Sequence, residues 1–170
     1  MAGRGADTPG MDPSLALLYG WIVRTREELF GYTASLPPEI YTREHPDFAY
    51  GSIRNIQAHV ANCYLSWIGR YELELEHLPF EAASVPDAGA MRARFAEVDR
   101  VVTQACRRFE RPDEVFELVR PGRDTLQVSQ RWLIMHPVTH EFHHKGQLLA
   151  LGRVLGFPLA PSQDTDLTLP

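Results

Sequence analysis

His136-Pro-Val-Thr-His140-Glu-Phe-His143-His144-Lys-Gly-Gln147 carries four of the chain's seven histidines within nine residues. The residues around it are apolar at helical spacing: Trp132, Leu133, Met135, Leu148, Leu151 and Leu155. Ser129 stands in front as an N-cap candidate, and Gly156 then Pro158 form a stop signal behind. The stretch therefore reads as one helix with an imidazole row on an otherwise buried surface. On a helix His140 and His144 lie one turn apart on the same face, about 5–6 Å from each other. Two imidazoles so placed can share one metal ion. The bland alternative is a solvated polar face, and the apolar company argues against it, because unpaired polar rings among buried side chains are costly.

Working outward, three more stripes of 3.6-residue period appear. The first helix starts at Pro13-Ser14, with Pro at an N1-like position, and ends before Pro37-Pro38. Leu17, Leu18, Trp21, Ile22, Leu29 and Leu36 are its expected buried face. A loop from Pro37 to Gly51 follows. Ser52 is the expected cap of a second helix running to about Leu75, with a stripe of Ile53, Ile56, Val60, Cys63, Tyr64 and Trp67. A third helix is capped by Asp87 and extends to about Phe109. The period then switches to two at Val115–Val119 and Thr125–Val128, which predicts a short hairpin before the last helix. The expectation is an all-α, four-helix fold with long connections between helices one and two and between three and four. It should occupy residues 13–158, between a disordered N-terminal tail at 1–12 and a C-terminal tail at 159–170.

Composition narrows the function. At 170 residues, with 44% hydrophobic content and a net charge of −5, the chain suits one globular domain and lacks the basic footprint of a nucleic-acid binder. Two cysteines, Cys63 and Cys106, make no disulfide framework and fit a reducing cytoplasm. Cys63 reads as an inert core residue. No apolar run reaches the roughly 20 residues of a membrane span, and Met1–Gly10 lacks the apolar segment of a signal peptide. A small-molecule substrate is the expected partner, with neither nucleic acid nor membrane, and a homodimer is compatible with the sequence.

His59 shares the stripe of the second helix. A lone histidine there is more often a core residue satisfied by one hydrogen bond. Set opposite an inward-facing imidazole pair, it becomes a third ligand. Three protein ligands with an open position is the catalytic arrangement, whereas structural sites are closed by four. An all-imidazole set suits zinc, nickel, iron or copper better than calcium or magnesium. His136 could extend the row as a pocket residue, although Pro137 threatens the helix there. His143 lies about 100° round from His144 and should face elsewhere. His45 and His77 sit in or beside loops and should be solvated.

Two other motifs overlap. His140-Glu141-Phe-His143-His144 spells H-E-x-x-H, but no Glu or His follows it, only Asp164 and Asp166. Glu141 also sits about 100° from His140, so it need not face a metal. Glu74–His77 and Glu141–His144 match the Glu-x-x-His spacing of di-iron bundles, yet Glu74 lies on a polar helix end.

The combination of Ala58-His-Val-Ala-Asn-Cys-Tyr-Leu-Ser-Trp67, the row His136-x3-His140-x3-His144-Lys-Gly-Gln147 and the closing Leu151-Gly-Arg-Val-Leu-Gly-Phe-Pro158 resembles the DinB/YfiT-like family. The resemblance spans about Pro13 to Pro158. It implies a DinB-type four-helix bundle with long crossovers and a divalent-metal triad on His59, His140 and His144. Zinc or nickel is the ion it favours, then iron or manganese. Lys145 stands where the family more usually has Arg. Some similar proteins are thiol-dependent transferases or isomerases, and others are hydrolase-like. The implied readings are a metal-activated thiol cofactor or water acting on a small molecule, or a non-catalytic metal-dependent stress-response module. Catalytic residues beyond the metal set are not indicated. Trp21, Tyr64 and Trp67 could wall a pocket or simply pack.

Overall fold

The computed structural model describes residues 12–76, 79–108 and 111–160. Of the tails expected at 1–12 and 159–170, residues 1–11 and 161–170 lie outside them, as do the end of the third helix at Phe109 and His77. Five helices and one hairpin are present among the described residues. Helix α1, Pro13–Ser35, is capped by Asp12, whose carboxylate accepts from the amides of Ser14 and Leu15. A short helix α2, Pro38–Thr42, interrupts what the sequence presents as a loop. Its Ile40 and Tyr41 are buried, and that burial is what sustains so short an element.

Helix α3, Ile53–Tyr64, begins at Ser52, whose hydroxyl accepts from the Asn55 amide. It continues as π-helical turns over Leu65–Glu72. The second helix thus reaches nearly the expected end, but with widened turns that apolar periodicity does not encode. A 3₁₀ turn at Ala82–Ser84 leads into α4, Ala88–Arg108. Asp87 caps α4 through the Ala90 amide. Strands β1, Val115–Leu118, and β2, Leu126–Ser129, pair antiparallel with Val115 opposite Ser129 and Leu118 opposite Leu126. The predicted hairpin is therefore present. Helix α5, Gln130–Val154, starts at a Ser129 cap and runs unbroken through Pro137. Beyond it, Gly156 takes the left-handed φ of 91° that the stop signal requires.

The architecture is all-α, with α1, α3, α4 and α5 forming the bundle and the hairpin inserted between α4 and α5. Most of the core is one cluster that includes Leu15, Ile22, Phe30, Ile68, Phe95, Val102 and Ile134. A second, around Ile53, Ile56, Leu148 and Leu151, fills the α2 end. Gly152 belongs to this end. A Cβ there would collide with the Tyr32 hydroxyl, which donates to the Phe157 carbonyl at 2.6 Å and ties the tail of α5 to α1. No helix among the described residues is long and apolar enough to cross a membrane.

Two expectations of burial are corrected. Leu17 is 55% exposed and Trp132 is 39% exposed. The inward positions of α1 are Leu15, Tyr19, Ile22, Arg26, Leu29 and Thr33. A seam at alternating steps of three and four leaves Leu17 outside and Leu18 and Trp21 half-buried. The sequence hides this phase because one inward residue is an arginine. Trp132 is not buried in the core but stacks on its helical neighbour His136 at 4.8 Å.

Candidate metal centre

Helix α3 presents His59 toward α5, and α5 presents His140 and His144 one turn apart. Their Nε2 atoms converge. His59 Nε2 lies 2.7 Å from His140 Nε2, and His144 Nε2 lies 3.1 Å from His140 Nε2. The three potential ligand atoms all fall within 4.8 Å of one another. Donors around a tetrahedral ion with bonds of about 2.0–2.1 Å stand roughly 3.3 Å apart, so the spacing suits one shared ion. This is a group of histidines that could hold a metal.

The protonation chemistry agrees. His144 Nδ1 is 2.7 Å from Gln147 Oε1, an acceptor, so Nδ1 carries the proton and Nε2 of the neutral ring presents its lone pair. The Gln147 amide nitrogen reaches His143 Nε2 at 3.1 Å. His140 Nε2 therefore faces two neighbouring ring nitrogens with at most one proton to offer. Lone pairs are left converging, which a cation satisfies better than a hydrogen bond does. Burial, and then the neighbouring His144, push His59 down to about 4. Burial, followed by His144 and His59, lowers His140 to about 4 as well. His144 is lowered chiefly by burial. All three rings are thus neutral at physiological pH, the state that ligates.

The row continues beyond the triad. His136 stacks toward His140 at 6.2 Å with an interplanar angle of 15°, and Trp67 meets His136 edge-on at 4.6 Å. His136 borders the site without joining it. His143 is exposed, as its position on the helix predicts. His45 is half-buried against Phe48 instead of fully solvated.

Glu141 points the other way. It is buried and receives Arg26 through two bonds, Nε to Oε1 at 2.7 Å and Nη2 to Oε2 at 2.9 Å. Tyr64 donates to Glu141 Oε2 at 2.6 Å, while Arg26 Nη1 reaches Asp99 Oδ1 at 2.6 Å. Burial opposes the Arg26 charge, and the Glu141 carboxylate together with Tyr19 and Tyr64 outweighs it, holding the guanidinium well above its ordinary range. Glu141 is thus fully engaged and turned from the histidines, so the H-E-x-x-H spelling has no proteolytic geometry here. Tyr64 is fully buried in this network, whereas Trp67 is half-buried against His136. Cys63 is half-buried, and burial pushes its thiol up to about 12.

One neighbour was not legible in the sequence. Tyr50, 46% exposed, stacks on His59 at 4.0 Å with an interplanar angle of 18°, its hydroxyl 3.0 Å from His59 Nε2. It arrives from the connection before α3. A possible clue is the Tyr50-Gly51 pair just before the Ser52 cap, a place for a left-handed turn.

The DinB family model matches residues 11–167. Protein DinB of Bacillus subtilis (strain 168) is 23% identical over 152 residues, covering 85% of this chain and 88% of that protein. The chain belongs to the DinB family.

Proposed function

We propose that this DinB-family chain binds one divalent transition metal through His59, His140 and His144 and uses it to activate a small nucleophile for transfer to a small molecule. The observation that carries the reading is the convergence of three neutral Nε2 atoms from two facing helices. An all-imidazole set suits zinc, nickel, iron or copper, and zinc or nickel is the favoured ion. When bound, such an ion lowers the pKa of a coordinated thiol or water and supplies a nucleophile near neutral pH.

The chain's own residues do the rest. Gln147 orients His144 by accepting from its Nδ1. The His59 and His140 rings stand half-exposed, so the site can be reached from solvent. Neither cysteine supports thiol chemistry of its own. Burial pushes Cys63 up to about 12 and Cys106 up to about 11, so both stay protonated. A thiol used here would therefore come from a soluble low-molecular-weight cofactor, and the thiol-transferase form of the proposal is the one put to the test.

The test has two stages. Metal analysis of His59→Ala, His140→Ala and His144→Ala should show lost occupancy in each, and full occupancy in any one removes it from the triad. A panel of small thiols is then titrated into the cobalt-substituted wild type and assayed with electrophiles. Thiol-dependent spectral change and turnover, both absent in His140→Ala, are expected. If no thiol binds or supports turnover, the transferase reading falls.

A further inference from the structure

Tyr50 is held in a conformation that a tyrosine rarely adopts. Its φ is 66°, in the left-handed region, followed by Gly51 at 75°. Such a backbone is strained for a bulky residue and persists only where the surroundings over-determine it. Here they do. The Tyr50 carbonyl accepts from the Ser52 amide at 2.9 Å and from Asn55 Nδ2 at 2.9 Å. Gly51 donates to the Phe48 carbonyl at 3.0 Å, and its own carbonyl accepts from His45 at 2.8 Å. Core burial does not explain the choice of residue, because Tyr50 is 46% exposed. What the loop achieves is to lay a phenol against His59.

The position of that phenol is specific. The near-parallel stack on His59 places the hydroxyl over the imidazole face, 3.0 Å from Nε2 and off the in-plane axis of its lone pair. That axis is directed at His140, 2.7 Å away. The hydroxyl therefore does not stand where a coordination bond from His59 would run. It stands beside it, on the side open to solvent. A phenol carries its proton at neutral pH and can donate it.

We propose that Tyr50 is a further working residue of the histidine site, whose hydroxyl donates a hydrogen bond to the anionic, non-protein ligand that the metal carries. The inference rests on metal binding by the triad and adds to it the chemistry of the open position: a small anion or thiolate, held between the cation and a neutral donor.

The experiment compares full-length wild type with Tyr50→Phe, each loaded with one equivalent of cobalt(II) and titrated with azide by visible absorption. Phenylalanine keeps the ring stack and removes only the hydroxyl. Cobalt affinity should stay within about threefold, while azide binding should weaken about tenfold, the usual scale for a lost hydrogen bond to a charged partner. Unchanged azide affinity overturns the inference. Loss of cobalt in Tyr50→Phe also overturns it, since the phenol would then be a ligand itself. A wild-type cobalt spectrum that azide does not perturb overturns it too, while leaving metal binding in place. Failure of the wild type to bind cobalt at the triad brings down the metal reading, and this inference with it.

Discussion

His140 and Glu141 are adjacent on α5 and live in opposite worlds. Glu141 faces inward, where it joins Arg26, Tyr64 and, through Arg26, Asp99 and Tyr19 in a charged network buried at all but its Asp99 edge. His140 is half-exposed, where three uncharged rings meet with too few protons to satisfy one another. The same helix thus carries one polar set that is complete and one that is incomplete. A complete buried network fixes how helices dock, because each charge would be costly alone. An incomplete cluster of neutral donors is a binding site in waiting. The two are separated by the roughly 100° that one residue turns on a helix, so the network that anchors α5 to α1 and α3 also sets the direction of the imidazoles.

The sharpest way to break this contrast is Glu141→Ala. It strips the Arg26 guanidinium of its carboxylate pair in the core, leaving it Asp99, the Tyr19 hydroxyl and cation–π contacts with Tyr19, Tyr64 and, at 4.6 Å, Phe95. Removing one partner of such a pair costs about 3–5 kcal/mol, which urea unfolding monitored by far-UV circular dichroism would register. Protein that remains folded should still take up metal.

His140→Ala should do the reverse. Metal affinity should fall at least about a hundredfold, since this ring links the other two, while the metal-free protein changes by about 1 kcal/mol or less. Isothermal titration with zinc, beside unfolding of the stripped protein, separates the two effects. A large loss of metal-free stability would mean that the imidazoles are structural after all.

Acid discriminates in the same way. His59 and His140 are held at about 4 in the folded chain and return to ordinary values when it unfolds. The unfolded state then binds more protons between about pH 6.5 and 4, so stability is full above that window and is lost as pH falls through it. His59→Ala/His140→Ala should flatten the slope of stability against pH in that window. Metal should stay bound below the pH at which free histidines protonate, because the folded rings resist the competing proton.

The smallest effect belongs to Gln147→Ala. It frees His144 Nδ1 without touching a ligand atom and should weaken zinc binding about tenfold, with little change in fold stability. Equal affinity would show that packing alone orients His144.

Much of the fold was legible because it is local. Ser52, Asp87 and Ser129 cap helices where the sequence places caps, and Gly156 supplies the left-handed residue that a helix end needs. The His140–His144 spacing is likewise a property of one helix, and the motifs flanking it led to the DinB family. Errors arose where chemistry at a distance overrode local character. Arg26 takes a core position in α1 because a carboxylate 115 residues away neutralises it, and the expected phase of that helix slipped accordingly.

By itself, then, the sequence determined the four bundle helices and their caps, the hairpin, and a pair of imidazoles facing one way, since each depends on residues within a turn or two. Tertiary structure alone decided how closely His59, named from its stripe, approaches that pair, that Glu141 finds Arg26, that a short α2 forms in the first long connection, that the second helix widens into π turns, and that Tyr50 leans over the site. Those outcomes depend on the docking of α3 and α5 and on a loop held by its own hydrogen bonds. Contacts between residues as far apart as His59 and His140 leave no periodic trace in either segment.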